Sequence, residues 1–494
     1  MPSTQKTQPS RPRRATDVTH WDLETDIAIV GFGGAGACAA IEAADAGARV
    51  TLFEVASASG GSTALSSAEV YLGGGGGTRV QKACGYTDST EDMFQYLMAA
   101  GGELADEAKV RLYCEQSTEH FDWLVAMGAP YKDSEYTERA IMALTDDCLL
   151  YTGSEKCWPF RDIAKPCPRG HNLEVEGDNG GPLLMKILTE QVEKRGIRVE
   201  YNARALTLIA GNEGEVLGLV VRIDGEERDV RAHRGVILCA GGFVMNTDML
   251  AQYCPRLVEG PMPIGNPGDT GTGLLMGQSM GGALLHMDQH FITLPYYPPS
   301  SLTYGIFVNG QAQRFINEDC YHSRIASRAL DQLGGKTYLI VSADDYAHPA
   351  FMNAPIVGTG ETIEELADEV GLNPEMLRHT IEFYSEHAAR GEDPLFHKSA
   401  EWLKPMVAPY AALDCTLGEG AIYAAFTLGG LDTRPTGEVL TTEKAVIPGL
   451  YAAGRTACGI PRTAAGYASG LSVGDATFFG RAAGRASAAR QREI

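Results

Sequence analysis

The sequence predicts an α/β fold, and three observations predict it. A short apolar run over residues 26–30 enters a glycine cluster. An alanine-rich stretch of helical character follows, from Ala37 to Ala46. A second apolar run over residues 49–53 then ends on an acid, Glu54. Strand, helix and strand in this order open a parallel βαβ unit.

Each element has its reason. Ile27, Ile29 and Val30 are β-branched and form a run of strand length. Gly47 is a helix stop. Between them lies Gly31-x-Gly33-x-x-Gly36. Gly31 makes the tight turn, Gly33 lets backbone approach a pyrophosphate, and Gly36 lets helix and strand pack. Gly34 and Ala35 complete this loop, and the free N–H groups of the helix start favour phosphate charge. Glu54 stands 23 positions past Gly31, where a carboxylate accepts from the hydroxyls of an adenosine ribose. The pattern therefore predicts a dinucleotide site.

Further along, residues 57–77 are rich in Ser and Gly, residues 91–128 have helical character, and residues 145–182 show no clear period. Residues 199–201, 206–209, 216–223 and 235–239 read as strands, with turns at 211–214 and at Asp224-Gly225. A second region follows from about residue 262. There Thr362 to Glu365 predicts a helix N-cap, as does Asn373-Pro374, after which Leu377, Ile381 and Tyr384 repeat at helical spacing. The chain returns to β at 449–454 and closes on a helical run from Leu471 to Ala488.

Composition narrows the function. Of 494 residues, 41 are Lys or Arg and 63 are Asp or Glu, a net charge of −22 that repels nucleic-acid phosphates. No apolar stretch reaches transmembrane length. The eleven Cys form no CxxC pair and read as reduced core thiols of a cytoplasmic protein. Residues 1–23, rich in Pro, Ser and Arg at their start, are expected to be a disordered tail. Gly277-Gln-Ser279-Met-Gly281 matches a hydrolase elbow but lies in a helix-like run over 273–285, without the strand that motif needs. His286 and His290 lack the adjacent Glu of a zinc protease, and Met287 between them suits a packed helix face. No metal site is expected.

The glycine motif does not by itself separate FAD from NAD. Gly60-Gly61-Ser62-Thr63 follows Glu54, where the chain can curl under a flavin, and Leu450 to Gly454 lies far downstream. With Ala240-Gly241-Gly242, Gly268 to Gly273, Arg314 to Glu318, Thr427 to Gly430 and Gly480 to Gly484, these pieces resemble the flavoprotein family of fumarate reductases, succinate dehydrogenases and 3-ketosteroid dehydrogenases. The resemblance runs in family order over nearly the whole chain after residue 24. It implies a Rossmann-like FAD-binding domain split into residues 24–261 and 426–494, with an α+β capping domain inserted at 262–425. It implies FAD contacts from Gly31, Gly33, Gly34, Ala35, Gly36, Glu54, Gly61, Ser62, Thr63, Ala240, Gly241, Gly454, Gly470, Leu471 and Ser472. The helix beginning at Leu471 would aim its N-terminus at the flavin pyrimidine. No His stands near Ser62-Thr63, where succinate dehydrogenases link their flavin, so the FAD is expected to be non-covalent.

Within the family, dicarboxylate enzymes carry a His before Thr-x-Gly-Gly and an Arg before the final helix. Here Phe426 and Tyr467 stand in those places, and neither holds a carboxylate. The segment Gly466 to Gly470, with Tyr321, instead resembles the 3-ketosteroid dehydrogenases, and in detail their Δ4-(5α) branch. That resemblance implies oxidation across C4–C5 of 3-keto-5α-steroids, with a proton lost from C4 and a hydride passed from C5 to flavin N5. Tyr467 would steady the enolate oxygen. Ser469 and Tyr321 would share the proton, with either as immediate base. Tyr467, Gly470 and Phe426 would contact the substrate, and Phe291, Leu294 and Tyr296 are either pocket lining or core. A Δ1-dehydrogenase, or a fumarate-reductase-like flavoprotein acting on another apolar ketone, is the alternative. A flavin-binding protein with no redox substrate is the rival from another class, and its RNA-associated kind needs the basic surface this chain lacks. An external electron acceptor is required, of a class the sequence does not name.

Overall fold

The first apolar run extends over Leu23–Val30 (β1), followed by helix α1 (Gly34–Asp45) and strand β2 (Val50–Phe53). β1 and β2 are parallel, with Val30 beside Phe53. The computed structural model describes residues 10–177, 179–351, 354–418 and 421–491. Strand β3 (Arg198–Glu200) extends the sheet beyond β2. Strands β4 (Arg204–Ala210), β5 (Val216–Ile223) and β6 (Glu226–Leu238) form a meander. Its second turn is Asp224-Gly225, both left-handed at φ 52° and 84°, as a two-residue hairpin requires. β6 is long because its first half pairs with β5 while its second half runs parallel to β1.

The chain then leaves this sheet. Strand β7 (His290–Thr293) is followed by β8 (Ile306–Asn309), helix α2 (His322–Leu330), β9 (Thr337–Ser342), β10 (Ile356–Gly360), β11 (Tyr410–Asp414) and β12 (Ala424–Thr427). β8, β9, β11 and β10 form an antiparallel sheet in that order. Ile306, Ile340 and Ala412 from this sheet share a core with Leu366, Leu377, Ile381 and Tyr384 of the two capped helices. Thr362 and Asn373 cap those helices as expected, accepting from the N–H groups of Glu365 and Met376.

Strand β13 (Val446–Ala452) brings the chain back, and helix α3 (Leu471–Ala489) ends it. β13 lies parallel to β6, with Val236 beside Leu450 and Leu238 beside Ala452. The parallel order is therefore β13-β6-β1-β2-β3, built from both ends of the chain. Gly31, Cys239 and Ala453 all leave this sheet at its carboxyl edge, where open α/β sheets bind ligands. α3 packs on α1 at backbone range: a Cβ on Gly480 would stand 2.4 Å from the Ala35 carbonyl oxygen.

Three expectations need correction. Residues 1–9 of the expected tail lie outside the described residues, but Arg13-Arg14 pair in parallel with Ile209-Ala210 of β4, and Arg13 forms ion pairs with Glu227 and Asp229. Those two ion pairs and the strand pairing hold a segment that composition marks as loose. The helix predicted over 273–285 ends at Ser279, after which Leu284–Leu285 form a strand. Met287 accordingly sits in a turn before β7 rather than on a helix face, buried all the same.

Candidate active site

One cavity of ≈ 630 Å³ opens at the carboxyl edge of the parallel strands and runs toward the inserted region. Gly31, Gly33, Gly34, Ala35, Glu54, Gly61, Ser62, Thr63, Ala240, Gly241, Gly454, Gly470 and Ser472 line it. So do Phe426, Tyr321, Tyr467 and Ser469. Residues spread over more than 400 positions of chain thus meet in one place. Gly36 and Leu471 do not line it. Gly36 serves packing, since a Cβ there would lie 1.9 Å from the Gly31 carbonyl oxygen. Leu471 is buried with its N–H bonded to the Ala468 carbonyl at 3.2 Å.

The cofactor end is built from backbone. Gly31 holds φ 100°, and a Cβ there would meet the Cys239 carbonyl oxygen at 2.4 Å, so only glycine fits this crossing. α1 starts at Gly33 with no side-chain cap, which leaves N–H groups of its first turn for a ligand. Gly34 alone finds a partner, donating to Thr63 Oγ1 at 3.1 Å. Glu54 is doubly engaged: Oε2 accepts from Phe32 N at 2.7 Å and Oε1 from Ala56 N at 2.8 Å. Each carboxylate oxygen can accept a second hydrogen bond, and Glu54 lines the cavity. Asp269 shares Ser62 at 2.6 Å and Arg455 at 2.7 Å, while its Oδ1 is buried without a partner. An uncapped helix start, a ribose-ready carboxylate and an orphaned acceptor on one elongated wall fit FAD.

At the other end three aromatic rings close together. Phe291 of β7 and Phe426 of β12 face each other across paired strands and stack at 4.6 Å. Tyr467 lies 4.5 Å from Phe291, ring centre to ring centre. Phe291 thus belongs to the lining, whereas Leu294 and Tyr296 are core. Tyr296 donates to the Glu318 carbonyl oxygen and accepts from Arg139.

Among these rings sit the polar groups. Tyr321 precedes α2, its N–H held by Ser154 Oγ at 3.0 Å. The turn before it carries Glu318, which meets Arg314 in a buried ion pair at 2.7 Å. Ser469 is clamped by Thr152, whose carbonyl accepts from Ser469 N and whose hydroxyl donates to the Ser469 carbonyl, both at 2.9 Å. The Tyr321 and Ser469 hydroxyls lie 2.6 Å apart. The Tyr467 hydroxyl donates to Ser472 Oγ at 2.9 Å. Burial pushes the Tyr467 phenol up to about 12 and Tyr321 well above its ordinary value. Both are therefore neutral donors at physiological pH. Beside Tyr321, His322 is pushed down to about 3 by burial and then by Arg139, so its ring is neutral.

Reading the sequence missed Glu69, Asn266 and Arg455, which also line the cavity. Asn266 flanks the quoted stretch beginning at Gly268, and Arg455 follows Gly454, so both were one or two positions from a recognised signal. Glu69 lies in Ser66-Ser67-Ala68-Glu69, which carries no motif.

Known proteins share this fold. A family described as FAD binding domain matches residues 26–470. The fold is similar to a crystal structure of 3-ketosteroid-Δ4-(5α)-dehydrogenase from Rhodococcus jostii RHA1 in complex with 4-androstene-3,17-dione. The two are 42% identical with a TM-score of 0.92, covering 97% of this chain and 100% of that one. The 3-oxo-5-alpha-steroid 4-dehydrogenase of Comamonas testosteroni is 27% identical, over 89% of this chain and 94% of its own. A fumarate reductase (cytochrome) of Shewanella frigidimarina is 29% identical, over 94% of this chain and 77% of its own.

Proposed function

This chain belongs to the FAD-binding domain family as an FAD-dependent dehydrogenase, and from that premise we propose that it oxidises 3-keto-5α-steroids across C4–C5. The observation that carries the proposal is the Tyr321–Ser469 hydroxyl pair facing Tyr467 inside an aromatic-walled cavity. The glycine loop, Glu54 and the start of α3 would hold FAD, which when bound would supply an acceptor for a hydrogen and its electron pair.

The remaining work falls to the chain. Phe291 and Phe426 offer flat apolar walls that suit a rigid, largely apolar ring system. Tyr467 O–H exchanges its Ser472 partner for the substrate carbonyl and stabilises charge that develops there. That charge makes the adjacent C–H acidic, and Ser469 stands ready for its proton, with Tyr321 in hydrogen-bond contact.

A dicarboxylate reading fails on the same residues. Arg455 is the cation beside the Phe426 ring, and Asp269 already neutralises it. Fumarate is not expected to be reduced. Among the described residues no helix is long and apolar enough to cross a membrane. The deciding assay feeds 5α-androstane-3,17-dione with an artificial electron acceptor and identifies the product. A 4-ene-3-one is expected. A 1-ene would move the chain to the Δ1 branch, and no product from a flavin-loaded protein would defeat the steroid reading.

A further inference from the structure

Two neutral hydroxyls cannot end a proton path. A serine alcohol and a phenol pass a proton on, but neither keeps it near neutral pH. The Tyr321–Ser469 pair therefore needs a base behind it. Two cavity carboxylates are committed elsewhere: Glu54 accepts from the N–H groups of Phe32 and Ala56, and Asp269 is held as an ion by Arg455 at 2.7 Å.

The third is Glu69. It is 1% exposed, lines the same cavity and precedes the short strand Val70–Tyr71. That strand is pressed against the Ser469 segment. Tyr71 N donates to the Gly470 carbonyl at 3.1 Å, and a Cβ on Gly470 would meet Val70 backbone at 2.8 Å. Glu69 Oε1 faces the Asn172 amide at 3.2 Å, and Oε2 is buried with no hydrogen-bond partner of regular geometry. Ser469 lines the same cavity, and its hydroxyl lowers the proton affinity of this carboxyl.

We propose that Glu69 is the base behind Ser469, taking the serine proton as Ser469 takes the proton from substrate C4. This rests on the steroid reading above. The C4–H bond breaks and its electron pair passes into the enolate, whose oxygen Tyr467 steadies. The proton goes to Ser469 Oγ while the serine proton goes to Glu69 Oε2. Serine ends neutral, and Glu69 ends as a carboxylic acid.

The surroundings make Glu69 a stronger base than an ordinary carboxylate. Burial first, and the Glu155 carboxylate second, push its proton affinity well above the usual range, and the Ser469 hydroxyl counters part of that rise. Glu155 is itself fixed by the Tyr71 hydroxyl at 2.8 Å and Gly153 N at 3.0 Å. The other titratable groups facing Glu69 are the phenols of Tyr321 and Tyr467, both neutral. The competent form is the carboxylate, so turnover must climb with pH through the ionisation of Glu69.

The test is a pH profile of kcat/KM for 5α-androstane-3,17-dione in wild type, Glu69→Gln and Glu69→Asp, with flavin absorbance and thermal midpoint recorded for each. Glu69→Gln should fall by about 100-fold or more and lose the ionisation, with its flavin retained. Glu69→Asp should keep an ionisation moved in pH. A Glu69→Gln profile shaped like wild type overturns the relay while leaving the steroid reading intact. If Glu69→Gln does not hold its flavin, Glu69→Asp decides, and an unmoved ionisation there overturns the proposal. A wild type that leaves the steroid untouched removes the substrate reading and the relay together.

Discussion

The Tyr321 and Ser469 hydroxyls stand 2.6 Å apart although 148 positions of chain separate them. One is held by the inserted region and the other by the loop before the last helix, so the pair exists only when both bodies are assembled. If the Tyr321 hydroxyl positions Ser469 Oγ for its proton transfer, the two act as one unit, and removing either should cost nearly all that removing both costs. Tyr321→Phe and Ser469→Ala are each expected to lower kcat by about 10²–10⁴-fold, with the double variant little worse. Steady-state kinetics on the three proteins check this, and additive losses would separate the two roles.

Tyr467 is set up to exchange partners. Without substrate its O–H donates to Ser472, and its high proton affinity keeps it a donor across the physiological range. Tyr467→Phe removes one donor to the enolate oxygen. In other enzymes such a loss costs about 2.7–4 kcal/mol of barrier, or 100–1000-fold in kcat. Binding of the product should weaken far less than turnover, which a flavin absorbance titration reads independently.

Glu54 has two tasks where the sequence suggested one. It ties the glycine loop to the strand after it through Phe32 N and Ala56 N, and it faces the cavity. Glu54→Ala is therefore expected to lose FAD on dilution and also to lose about 1–3 kcal/mol of stability, from the buried Phe32 N–H left unsatisfied. Glu54→Gln keeps one acceptor oxygen and should be milder. Flavin content after gel filtration and a urea melt separate the two effects. In wild type, acid precipitation should release all the flavin, since no histidine among the described residues lines the cavity to bind it covalently.

Two buried histidines should cost the fold stability as pH falls below about 6.5. Burial pushes His322 down to about 3 and His171 to about 4, each from an ordinary value of 6.5. The unfolded chain then binds protons that the folded one refuses, so the stability present above pH 6.5 is lost as pH falls toward those values. Each group costs roughly 2 kcal/mol by pH 5, at 1.36 kcal/mol per unit. Buried carboxyls with raised proton affinity, Glu69, Glu155 and Asp475, work in the opposite direction over the same range, so the check compares the slope of thermal midpoint between pH 7 and 5 in wild type and in His171→Asn and His322→Asn. Each variant should lose stability less steeply than wild type, and an unchanged slope would mean that the ring is charged in the folded state.

The sequence by itself determined the local parts. Gly31, Gly33, Gly36 and Glu54 were legible because their chemistry depends on short spacing along one βαβ unit. The helix caps at Thr362 and Asn373 were legible for the same reason. Tyr321, Ser469 and Tyr467 were named only through resemblance, since nothing in their own neighbourhoods marks them. What the tertiary structure alone decided is proximity between distant segments. β13 slots beside β6 across more than 200 positions, and this brings Gly454 to the cavity that Gly31 opens. Phe291 became lining and its neighbour Ile292 core because a strand alternates its faces, and only the pairing with β12 says which face meets the cavity. Glu69 had no motif at all. Its importance lies in burial beside a hydroxyl 400 residues away, and burial is a property of the assembled fold.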